Sequence, residues 1–61
     1  MNIYNNILKI ATYQGKSIAQ VEKEAGLANG SISKWQKSSP LVKRLDAVAN
    51  VLNVDIKELM E

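Results

Sequence analysis

The chain contains no cysteine and no histidine. Without cysteine there is neither a disulfide framework nor a thiolate to ligate a metal. Without histidine, the usual zinc ligand and the usual general base are both missing. The carboxylates do not fill that gap. None of them clusters at metal-ligand spacing, and Glu22 and Glu24 leave a helix on different sides. No nucleophile has an activating base beside it. The one match to an enzymatic pattern, S-x-x-K from Ser31 to Lys34, lacks the companion motifs that chemistry requires. No catalytic activity, metal or cofactor is expected.

Long apolar runs are missing too. No stretch of ~18 apolar residues exists, so nothing is expected to span a membrane. The first residues, MNIYNNILKIATYQ, lack the basic head and uninterrupted apolar run of a signal peptide, and a cytoplasmic location is the expectation. No window alternates with period two, so no strand is expected. There is no internal repeat and no low-complexity linker.

What remains is a chain of 61 residues, 46% of them hydrophobic, read as a single domain over 1–61. So short a chain buries only ~60% of the surface its unfolded form exposes, and economical helix packing or self-association must stabilise it. Helical signals run from end to end. Asn2 can cap a first helix carrying Ile3, Ile7, Ile10 and Ala11 at helical spacing, with Gly15 placed to stop it. Leu8 falls off that face, and Tyr4 and Tyr13 are expected as half-buried packing. Ser17 and Gln20 have the form of a capping box ahead of a stripe of Ile18, Val21 and Ala25, which Gly26 ends. After Pro40, a face of Leu41, Leu45, Val48, Ala49 and Leu52 predicts a longer helix, with Asn53 as its terminator. Asp55 and Glu58 then form a second capping box, with Val54 and Leu59 as its hydrophobic staple.

The stretch GLANGSISKWQKSSP, residues 26–40, fits neither core nor ordinary loop. Asn29-Gly30 is a hairpin signal, but the flanking runs are too short and too helix-like for strands. A helix over about 28–38 places Ala28, Ile32 and Trp35 on one face, with Trp35 in the core. Gly30, Ser33, Lys34 and Lys37 then lie opposite, with Asn29 and Ser31 at the flanks. The charge is distributed to match. The net charge is +2, yet residues 28–44 hold Lys34, Lys37, Lys43 and Arg44 and no acid, while 45–61 hold four acids and only Lys57. One aromatic beside the basic segment is too few for a platform that stacks single-stranded bases. A helix with short polar side chains and two cations suits the major groove, ~12 Å wide, where Asn, Ser and Lys can meet base edges. The lysines also answer the phosphate charge. A short helix at 18–25, a glycine and a helix from about 28 together form a helix-turn-helix pattern.

On SIAQVEKEAGLANGSISKWQKSSP followed by LDAVANVLNVDIKEL, the chain resembles the Cro and repressor class of phage and bacterial helix-turn-helix regulators, the XRE type. The resemblance is closest over residues 17–59. It implies an all-α, lambda-repressor-like bundle of four to five short helices, with the motif over about 17–38 and its recognition helix at about 28–38. It implies a transcriptional regulator that binds a double-stranded operator, without a cofactor or small-molecule ligand. Base contacts would fall on Asn29, Gly30, Ser31, Ser33 and Lys34, and phosphate contacts on Ser17, Lys37 and Lys43, with Lys9 and Lys16 further out. Two residues depart from the pattern. Ile18 stands where the class often has glutamine, and Glu22 where a small residue is usual. That glutamate either accepts hydrogen bonds from its neighbours or leans into solvent.

Symmetric operators call for a two-fold dimer. Val51, Ile56, Leu59 and Met60 are the expected surface of a homodimer, formed in solution or only on DNA. Alternatively, they close the monomer's own core. A reading from another class is a protein-interaction module, such as an antitoxin or antirepressor that keeps the fold. The acidic tail and Glu22 favour it.

Overall fold

A computed structural model describes residues 2–61. Among them are four α-helices and one 3₁₀ segment, and no strand. The order is α1 (Ile3–Tyr13), α2 (Ile18–Glu24), the 3₁₀ segment (Ser33–Gln36), α3 (Val42–Leu52) and α4 (Ile56–Met60). The protein is thus an all-α bundle of short helices. None of its helices is long and apolar enough to cross a membrane.

The helix starts are built from the polar residues the sequence offers. Asn2 Oδ1 accepts from the Asn5 amide at 3.2 Å, and Ser17 Oγ accepts from the Gln20 amide at 3.1 Å. At α4 the capping box closes both ways, with Glu58 Oε2 accepting from the Asp55 amide at 3.0 Å. The box expected at α2 closes only on the Ser17 side. The Gln20 side chain turns forward instead and donates to Glu24 Oε2 at 2.9 Å.

Three helices end in the same way. Gly15 (φ +77°), Gly26 (φ +75°) and Asn53 (φ +57°) take up the left-handed conformation just past α1, α2 and α3. The amide after each reaches back five residues: Lys16 to Ala11 O (2.8 Å), Leu27 to Glu22 O (2.8 Å) and Val54 to Ala49 O (3.0 Å). These are Schellman closures, which satisfy the last helical carbonyls and turn the chain sharply. Three such turns let short helices fold back on one core.

That core consists of Ile7, Ala11, Val21, Ile32, Trp35, Leu45, Val48, Ala49, Leu52 and Leu59. It forms where α1 packs against α2, α4 and the 3₁₀ segment, while α3 packs against α2 and α4. Fully burying one of its Ile or Leu side chains contributes about 1.5–3 kcal/mol. Two side chains of α1 fasten the far ends of other helices. Asn6 Nδ2 donates to Leu59 O at 2.8 Å, and Gln14 Nε2 donates to Leu52 O at 2.7 Å.

Four expectations are corrected here. Leu41 is exposed, because it precedes α3 as an extended cap residue rather than joining its inner face. Tyr13 is 91% exposed, lying two residues beyond Ala11 and so roughly 200° around the helix from the core face. Leu59 is fully buried within its own chain and leaves no side chain for a dimer partner. Finally, residues 28–38 form tight turns and the 3₁₀ segment rather than one continuous α-helix.

Candidate nucleic-acid interface

Gly30 explains the broken helix. Its φ of +89° lies outside right-handed helical space, so no helix can run through it from residue 28. From there the chain closes three-residue rungs: Ser31 N to Ala28 O (3.1 Å), Lys34 N to Ser31 O (3.2 Å) and Trp35 N to Ile32 O (3.0 Å). A four-residue rung appears only at the end, from Ser38 N to Lys34 O at 3.2 Å.

Glu22 holds this turn. It is 3% exposed, and its two carboxylate oxygens accept separately from the Gly30 amide at 3.0 Å and the Ile32 amide at 2.9 Å. Amides at the start of a helical segment have no partner within it, and a carboxylate is a strong acceptor for them. Of the two readings of Glu22 from the sequence, the hydrogen-bonded one is observed. Its charge forms an internal clasp between α2 and the turn.

Below the clasp, Ile32 and Trp35 fix the segment to the core, with Trp35 8% exposed. A 3₁₀ helix has 3.0 residues per turn, so side chains three apart eclipse one another. Ile32 therefore lies in line with Trp35 on the inner side. Ser33 lies in line with Gln36 on one outer edge, and Lys34 with Lys37 on the other. All four outer residues are exposed. Asn29 is exposed at the head of the turn, whereas Gly30 and Ser31 are half-buried. Ala28, expected on the inner face, is exposed because it precedes the left-handed Gly30.

One edge thus offers a hydroxyl and an amide, and the other two ammonium groups. Lys43 and Arg44 add two exposed cations at the start of α3. Among the described residues the one ion pair lies elsewhere, between Lys16 and Glu24 at 2.9 Å. Lys34, Lys37, Lys43 and Arg44 have no carboxylate partner there. Lys16, considered as an outer phosphate contact, also approaches Val51 O at 3.5 Å. Lys9 lies in a groove between α1 and α4, at the other end of α1 from the turn. Ser17 remains exposed at the head of α2, its Oγ accepting from Gln20 and its hydroxyl hydrogen available to donate.

Sequence reasoning missed Gln36. It stands three residues after Ser33, and the three-residue repeat of the 3₁₀ segment brings the two into line. It also missed a shallow groove of about 210 Å³ between the start of α1 and the turn, where Gln36, Lys37, Ser38 and Ser39 face Asn2. In that loop Ser38 Oγ donates to Lys34 O at 3.1 Å, which holds the end of the segment.

Set against protein-family models, curated proteins and solved structures, the chain matches none of them.

Proposed function

We propose that this chain binds double-stranded DNA in a sequence-specific manner and acts as a transcriptional regulator of the Cro and repressor kind. The observation that carries this reading is the outer surface of residues 29–37. A hydrogen-bonding edge and a cationic edge stand side by side on a turn fixed from behind by Glu22, Ile32 and Trp35. Asn29, Ser33 and Lys34, now with Gln36, are the side chains to read bases, since Asn and Gln pair with adenine and Lys with guanine. Ser31 adds a second hydroxyl, and Gly30 contributes shape alone. Ser17, Lys37 and Lys43 are the phosphate contacts, which set position and affinity but not sequence. Occupying a promoter in this way blocks or positions polymerase, and protein concentration controls the outcome. The setting is the cytoplasm of a phage-infected or bacterial cell. A homodimer on a symmetric operator is part of the reading, with exposed Met60 and half-buried Val51 and Ile56 left of the expected surface.

The rival, a pure protein-interaction module, has one feature fewer to rest on. Glu22 is engaged within its own chain and offers no charge to a partner. A salt titration on nonspecific duplex separates the two readings. A DNA binder that neutralises several phosphates loses affinity steeply with salt, whereas a pure protein binder has little duplex affinity at any salt. Lys34→Ala is expected to cost ~1–3 kcal/mol on a specific site if it reads a base. An equal loss on every duplex would reduce Lys34 to a phosphate contact.

A further inference from the structure

A second concavity lies away from the polar turn. Its volume is about 730 Å³, and it runs between the second half of α1 and α4. Two of its polar side chains are already committed: Asn6 and Gln14 donate to the Leu59 and Leu52 carbonyls. What faces outward is apolar, from half-buried Ile10 and Val54, with the exposed ring of Tyr13 at the rim. The walls have opposite charge. Lys9 on the α1 side has no ion-pair partner among the described residues, and Glu58 and Glu61 line the α4 side.

Such a surface complements itself. A two-fold contact brings the same patch of two copies together, so a positive wall on one side of the axis meets a negative wall from the partner. Tyr13 supplies the aromatic anchor that small interfaces depend on, and Ile10 with Val54 supplies the apolar seat. We propose that the α1–α4 groove is the surface on which a second copy of this chain docks. In that contact Tyr13 of each copy lies over Ile10 and Val54 of the other, and Lys9 faces Glu61 across the axis. This rests on the homodimer in the reading above but seats it on a different surface, since Val51, Ile56 and Met60 do not line the groove. The polar turn packs near Asn2 and Ile3, at the opposite end of the 11-residue α1, so pairing here leaves both turns open.

Sedimentation equilibrium of the full chain without DNA tests this independently of any duplex binding. The wild type is expected to show a concentration-dependent monomer–dimer equilibrium. Tyr13→Ala and Lys9→Glu are each expected to weaken it by ~10-fold or more. Combining Lys9→Glu with Glu61→Lys is expected to restore it, because the swapped charges again face each other. All three positions are exposed, and circular dichroism confirms that each variant is folded. A chain that stays monomeric at millimolar concentration, a dimer indifferent to Tyr13 and Lys9, or a double variant no better than Lys9→Glu would each overturn the proposal.

Discussion

Two corners of the molecule are closed by a glutamate carboxylate accepting backbone amides. At the corner between α3 and α4, Glu58 accepts from the Asp55 amide three residues earlier, at 3.0 Å. At the corner after α2, Glu22 accepts from the Gly30 and Ile32 amides, eight and ten residues later. The first closure is local: it starts one helix and depends on nothing beyond that helix. The second joins two segments. The polar turn keeps its shape only while α2 keeps its place, and burial of Glu22 excludes the water that would otherwise compete for those amides.

The sharpest way to break this comparison is to remove the long-range clasp. Glu22→Ala leaves two amides without an acceptor, and a buried unpaired group costs ~1–3 kcal/mol each, so a loss of ~2–6 kcal/mol in urea unfolding is expected. Glu22→Gln keeps one acceptor oxygen and should lose roughly half as much. A loss within experimental error for the alanine variant would mean that the turn holds itself. Next in size is Gly30→Ala. A Cβ at Gly30 meets nothing within 4 Å, so the cost is that of a left-handed conformation alone, ~1–2 kcal/mol. Thermal unfolding measures it, and a neutral result would show that the turn relaxes to φ below zero.

Asp55→Ala sharpens the local side. Loss of an N-cap costs ~1 kcal/mol, and faster amide exchange should be confined to α4. Exchange rising at Gly30 and Ile32 as well would erase the distinction between the corners. Smallest is the exposed pair on α2. The Lys16 ammonium bonded to Glu24, helped by the Gln20 amide, holds that carboxyl below its usual range. A lowered carboxyl pKa stabilises the fold above the unfolded-state value, and that stability is lost as pH falls through the folded one. Lys16→Met should therefore be slightly less stable near neutrality, and the gap to wild type should close in acid. A gap that persists below the carboxylate range would assign the loss to the contact with Val51 O instead.

The same division between local and distant contacts decides what the sequence reveals. Asn2, Ser17, Asp55 with Glu58, Gly15, Gly26 and Asn53 act within a few residues of themselves, and each was legible as a cap or a stop. The apolar spacing of α1 and α3 likewise identified most of the core, together with Trp35. Other features needed the third dimension. Gly30 was read into a helix over about 28–38, and the turn it makes instead is held by Glu22, eight residues away. The tight 3₁₀ winding of Ser33–Gln36 is likewise announced by no local pattern. Of the two places the sequence left open for Leu59, a partner's surface or the monomer's core, the core is the one it takes, and Tyr13, expected as half-buried packing, is exposed.

The most direct test of the account is selection of bound duplexes from a random pool, run with wild type and with the Glu22→Gln variant at a temperature where both are folded. The account predicts an enriched motif for the wild type and a flatter one for the variant, because the turn proposed to read bases has lost part of its clasp. No enrichment by the wild type at low salt and high protein would contradict it, and the surface of residues 29–37 would then belong to a protein partner.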